Sequence, residues 1–196
     1  MGNISAKTLP GIFFEKANSL KDKPLFWSKK DGFWEGVTWS DAALQIRKLS
    51  TVLQSYGVKK GDRVLIASEN RPEWAISDLA VMSLGAIVVP AYTSNTEEDN
   101  NYLLTHSQAK LAITSGGNVG SRLCLAADSN KFIKNIILID ADPRNFTVKG
   151  CKILSWNEEI KKVDIDSKFE KSIEKLSDED VCCFSYTSGT GGRPRV

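Results

Sequence analysis

The residues with the clearest chemical purpose lie together at the end of the 196-residue sequence, in Ser185-Tyr186-Thr187-Ser188-Gly189-Thr190-Gly191-Gly192-Arg193-Pro194-Arg195-Val196, a run of hydroxyls and glycines that ends in two guanidinium groups. Glycines let successive backbone N–H groups turn toward one anion, Thr and Ser hydroxyls add donors, and a guanidinium forks onto phosphate oxygens. Phosphate is the ligand these residue types suit. Two common phosphate motifs do not match. A P-loop needs a second glycine after four intervening residues, but counting on from Gly189 reaches Pro194. The dinucleotide fingerprint G-x-G-x-x-G fails at the same proline after Gly189 and Gly191. Pro194 also biases Arg193 away from helical geometry, so the spacing predicts no helix N-terminus directly behind the glycines.

Such a loop needs a rigid support, and the run Val181-Cys182-Cys183-Phe184-Ser185-Tyr186 predicts a strand leading into it. Upstream, Pro10 with Ile12, Phe13, Ala17 and Leu20 predicts a helix over 9–21, and two aromatic runs around Lys30-Asp31-Gly32 predict a hairpin reaching Thr38. Ser40 is read as the cap of the next helix, whose stripe Ala42, Ile46, Leu49, Leu53 and Tyr56 ends at Gly57. Strands are expected at 63–67, 86–90, 111–114 and 135–140. Between them lie a helix from Pro72 to a stop at Gly85, one opened by a Thr96/Asp99 capping box, and one over 122–127. Beyond Asp140 the pattern loosens into a turn at 142–145, a short helix at 156–162 and a charge-mixed, solvated stretch at 168–180. Short apolar strands alternating with amphipathic helices predict an α/β fold, a mostly parallel sheet with helices on both faces. Ligands of such sheets sit at the carboxyl ends of the strands, where the terminal loop is expected.

Composition narrows the classes. A net charge of +2, from 26 basic and 24 acidic residues, implies no nucleic acid or other polyanion as partner. The most apolar stretch, 75–92, is interrupted by Asp78, Gly85 and Pro90 and reads as buried helix and strand rather than a membrane span. No basic start precedes an apolar segment, so no secretory signal is expected, and Ala6 stands where a myristoylation motif needs Ser or Thr. Four cysteines without metal-ligand spacing, two of them adjacent, predict a reduced, cytoplasmic protein. His106 has no accompanying Ser or Cys motif and is read as a surface residue favouring a helix C-terminus. Asn70 and Arg71, in a loop after a strand, are read as a turn, with ligand binding as the alternative.

With the common motifs set aside, Tyr186-Thr187-Ser188-Gly189-Thr190-Gly191-Gly192-Arg193-Pro194-Arg195 resembles the phosphate loop of adenylate-forming (AMP-binding) enzymes, whose pattern is Y-T-S-G-T-T-G-x-P-K-G. Gly191 replaces a Thr, Arg195 replaces the Lys, and Val196 stands where Gly is usual. The second change turns a point charge into a planar fork. Val37-Thr38-Trp39-Ser40-Asp41 and Leu84-Gly85-Ala86-Ile87-Val88-Val89-Pro90-Ala91-Tyr92 resemble two further family motifs in the same order and spacing. Glu69-Asn70-Arg71-Pro72-Glu73-Trp74, together with Pro90-Ala91-Tyr92-Thr93-Ser94-Asn95-Thr96, looks most like long-chain fatty-acid–CoA ligases.

The resemblance implies the N-terminal portion of the large domain of such an enzyme, with residues 1–196 forming an incomplete adenylation domain that is inactive alone. It implies ATP and Mg²⁺ as cofactors and coenzyme A as co-substrate. A carboxylic acid, by likeness a long-chain fatty acid, is joined to AMP and passed to the thiol. Thr187, Ser188, Gly189, Thr190, Gly191, Gly192 and Arg195 would hold the β- and γ-phosphates, and no residue here is assigned to catalysis or metal. Small molecules are the expected partners, a peripheral membrane contact is compatible with a lipid substrate, and oligomeric state is not encoded visibly. Two other readings stay open: a non-catalytic nucleotide-binding or interaction module, and a ligase for an aryl, short-chain or amino acid.

Overall fold

The computed structural model describes residues 6–187. Helix α1, Leu9–Leu20, starts where the Thr8 hydroxyl accepts the Gly11 N–H at 3.3 Å and proline occupies the first turn. Strands β1, Pro24–Lys30, and β2, Phe33–Thr38, form the expected hairpin. Its turn residues Asp31 and Gly32 have φ of 49° and 88°, the positive values a two-residue turn requires. Helix α2, Trp39–Ser55, is capped by Thr38 rather than Ser40. Thr38 Oγ1 accepts the Asp41 N–H at 3.1 Å and the Asp41 carboxylate accepts the Thr38 N–H at 3.3 Å, while the Ser40 N–H goes to the Lys21 carbonyl.

Strand β3, Arg63–Ala67, helix α3, Pro72–Ser83, and strand β4, Ile87–Ala91, follow as the sequence predicts. Helix α4, Glu97–Ser107, carries the Thr96/Asp99 capping box, and strand β5, Leu111–Thr114, comes next. Helix α5, Gly117–Asp128, starts five residues before the expected position. No side chain caps it; instead the Gly116 N–H donates to Asp140 Oδ1 at 2.7 Å, a partner far off in sequence. Strand β6, Asn135–Leu138, is shorter than read. Strand β7, Lys152–Ser155, was hidden by its length and its edge position, and helix α6, Trp156–Lys162, matches. Within the supposed solvated stretch, the short helix α7, Phe169–Ile173, buries Phe169.

The five longer-range strands form one parallel sheet in the order β4-β3-β5-β6-β7. Side-chain alternation divides its two faces. Val64, Ile66, Val88 and Ile113 pack against α1, α2 and α3, whereas Leu65, Ala67, Val89 and Ala112 pack against α4 and α5. Helices therefore cover both faces of a mostly parallel α/β sheet, as expected.

The run 181–186 is not a strand. It lies beside the outer edge of β4 and makes one parallel bridge, Val88 to Cys183. The Val88 N–H donates to the Cys182 carbonyl at 2.9 Å and the Phe184 N–H to the Val88 carbonyl at 2.8 Å. The ladder cannot lengthen on its donor side. On this edge of β4 the flanking donors would come from residues 86 and 90, but the Ala86 N–H is bonded to Val81 and Pro90 has none.

Candidate functional site

The loops after β3 and β4 open at the carboxyl end of the sheet, and the 182–187 segment arrives there alongside β4. Together they enclose an open cleft of about 460 Å³, with Glu69, Asn70 and Trp74 on one side, Pro90 and Tyr92 on another, and Ser185 and Tyr186 on the third. Pro72 explains the first wall: it starts α3 immediately after Arg71 and holds that residue extended, at φ −157°. A turn between Tyr92 and Asn95, closed by a 3.1 Å backbone bond, shapes the second. Tyr92 is 72% exposed at the mouth, whereas Tyr186 is only 6% exposed at the base.

Arg71 belongs to the framework. Its guanidinium pairs with Glu73 at 2.8 Å and with Asp140, whose other oxygen accepts the Gly116 N–H. Burial opposes both charges, yet the pairing wins on each side. The Asp140 carboxyl is held below its ordinary value by Gly116 and Arg71, and the Arg71 guanidinium is pushed up by Glu73 and Asp140. The cluster ties the carboxyl ends of β3, β5 and β6 together, so the turn reading of Arg71 holds and its charge is already spent. Asn70 lines the cleft and keeps the ligand-facing alternative open to it.

Tyr186 is anchored by a contact that the sequence reading missed. Its hydroxyl lies 2.8 Å from Nδ1 of His106, in the last turn of α4. Tyr102 stacks on that imidazole, centroids 5.5 Å apart, and meets the Tyr186 ring edge-on at 6.3 Å. Burial pushes the Tyr186 phenol up, with Tyr102 adding and Arg63 opposing. His106 is exposed and at a helix C-terminus, as read, but it is not a bystander: it touches the residue directly preceding the sequence predicted to bind phosphate. The spacing of Tyr102 and His106, one helical turn apart, was the available signal.

Of the residues predicted to hold phosphate, Thr187 is described, exposed and directly after Tyr186 at the cleft. Ser188, Gly189, Thr190, Gly191, Gly192 and Arg195 lie outside the described residues. Among the described residues no group of three or more His, Cys, Asp or Glu could hold a metal ion, all four cysteines are free, and no helix is long and apolar enough to cross a membrane.

The family model for AMP-binding enzymes matches residues 13–195. The long-chain-fatty-acid–CoA ligase FadD15 of Mycobacterium tuberculosis is 30% identical over 184 residues, 94% of this chain and 30% of that protein. Fatty acyl-CoA synthetase A of Dictyostelium discoideum is 30% identical over 186 residues, 91% of this chain and 27% of that one. A solved benzoate CoA ligase from Burkholderia xenovorans shares the fold with a TM-score of 0.73 at 20% identity, over 90% of this chain and 32% of its own. The chain thus spans about 30% of the length of the curated relatives it matches.

Proposed function

This chain belongs to the family of AMP-binding enzymes, and from that membership we propose that it is the N-terminal part of a ligase that activates a long-chain fatty acid through an acyl-adenylate. The observation that carries the reading is the position of Ser185 and Tyr186. They reach a cleft at the carboxyl ends of β3 and β4, so the glycine- and hydroxyl-rich sequence after them starts where a parallel sheet offers its ligand site. The similarity to FadD15, a long-chain-fatty-acid–CoA ligase, and to the Dictyostelium fatty acyl-CoA synthetase supports a fatty acid as the substrate.

In the proposed reaction a carboxylate oxygen of the acid attacks the α-phosphorus of ATP and the bond to the β-phosphate oxygen breaks, giving acyl-adenylate and pyrophosphate. The thiol sulfur of coenzyme A then attacks the acyl carbon, the thiol proton is released and AMP leaves. The contribution of this chain falls in the first step. Backbone N–H groups at Gly189, Gly191 and Gly192, hydroxyls of Thr187, Ser188 and Thr190, and the Arg195 guanidinium would hold the β- and γ-phosphates and offset the charge growing on pyrophosphate. The hydroxyl oxygens of Thr187, Ser188 and Thr190 are donors that suit a hard cation, and Mg²⁺ held with ATP would supply positive charge to the polyphosphate.

Calorimetry with magnesium ATP tests the phosphate assignment. The wild-type chain should bind, and Arg195→Ala should weaken binding by about 10-fold or more, as loss of a charge-assisted hydrogen bond does. Equal affinity of the two would remove Arg195 from the site. ATP–pyrophosphate exchange with a panel of long-chain, short-chain, aryl and amino acids tests the rest. Exchange by residues 1–196 alone would overturn the proposal that they are one part of a larger active site.

A further inference from the structure

We propose that His106 is a positioning residue for the phosphate-binding sequence 187–195, acting through Tyr186; the inference rests on the assignment of that sequence given above. Among the described residues, two backbone hydrogen bonds fasten the arriving segment to β4, both at Val88, and Pro90 denies it the next donor. Beyond Phe184 the side chain of Tyr186 adds a further anchor. Tyr186, 6% exposed, is buried among residues of the α4 and α5 face, and its hydroxyl meets His106 Nδ1 at 2.8 Å.

The far side of this contact is fixed. Leu103 and Leu104 bury α4 in the core, the Ser107 hydroxyl donates to the Leu103 carbonyl at 2.6 Å, and Arg63 Nε at the start of β3 donates to the Ser107 carbonyl at 2.5 Å. Tyr102 covers one face of the imidazole and sets its orientation. A continuous path of contacts therefore runs from β3, through the end of α4 and the His106 ring, to the residue bonded to Thr187. Clusters of glycines cost more conformational entropy to order than any other residues, so a fixed starting point lowers what phosphate binding must supply. The imidazole does this without touching the ligand.

The test compares the wild-type chain with Tyr186→Phe, His106→Leu, His106→Asn and the double variant Tyr186→Phe/His106→Leu. Affinity for magnesium ATP is measured by calorimetry and stability by urea unfolding. Tyr186→Phe and His106→Leu should each weaken ATP binding about five-fold, the effect of one lost hydrogen bond. The double variant should lose no more than either single one, because both remove the same contact. His106→Asn should restore affinity, since its amide can occupy the place of Nδ1. Wild-type affinity in His106→Leu overturns the proposal, as does a loss that follows the urea midpoint and is not restored by Asn.

A second measurement separates this proposal from the functional reading. The backbone amide resonances of residues 187–195 should shift in His106→Leu and return in His106→Asn with no nucleotide present. Absence of ATP binding by the wild type would refute the functional reading, while unmoved amides would refute the positioning role.

Discussion

Replacing Asp78 by Asn should stabilise the protein at neutral pH and leave it unchanged in acid. Asp78 is half-buried on α3, and burial alone raises its carboxyl from 3.8 to about 6, with no partner among the described residues to offset it. The folded form then binds the proton more tightly than the unfolded form, so stability falls as pH rises from about 4 to about 6 and remains lowered above that range. A rise of that size would cost about 3 kcal/mol for a fully buried group. Asp78 keeps part of its surface in water, and screening reduces the cost to on the order of 1 to 1.5 kcal/mol. Asp and Asn have similar helix propensity, so the variant isolates the charge.

The assay is urea unfolding of both proteins across the range from pH 4 to 7.5. With a slope of about 2 kcal/mol per molar urea, the Asn variant should gain about 0.5 M in midpoint at pH 7.5 and nothing at pH 4. The thiol of Cys183 provides an independent reading. It is raised by burial first and by the Asp78 charge second, so its reaction with an alkylating agent should begin at lower pH in the variant. A midpoint at pH 7.5 equal to or below the wild type, or a difference that does not change with pH, would refute the reasoning.

Thr38→Ala removes one half of the capping box at the start of α2 and should cost about 1 kcal/mol, read as a lower urea midpoint. Gly120→Ala places a methyl group 2.6 Å from the Ser115 carbonyl oxygen, a backbone atom that cannot swing aside; calorimetric unfolding should show a loss of about 1 to 3 kcal/mol. Asp140→Asn tests the opposite pH slope to Asp78. The Asp140 carboxyl is held low despite burial, so its stabilisation is present above the unfolded value of 3.8 and lost as pH falls through the folded one. Unfolding midpoints between pH 2.5 and 5 should therefore depend less steeply on pH in the variant than in the wild type.

The sequence by itself determined the alternating architecture, because the information is local. Apolar runs in β3, β4 and β5, Pro72 at the start of α3, and the Thr96/Asp99 pair before α4 each specify an element from neighbouring residues, and each is where it was expected. The residue types of 187–195 pointed to phosphate, and their order to the AMP-binding family, in the same way. Elements whose support comes from a distance were misread or missed. The start of α5 depends on Asp140, and β7 is a strand only because β6 lies beside it.

The segment 181–186 has the composition of a strand, yet tertiary structure decided otherwise: the edge it lies beside, that of β4, carries a proline at the next pairing position. His106 shows the same limit from the functional side. Read along the chain it is an exposed residue at a helix end, and only the fold carries Tyr186 across 80 residues to meet it. Local spacing selects helices and strands; the contact between Tyr186 and His106 joins segments far apart in sequence, and only the tertiary structure brings them together.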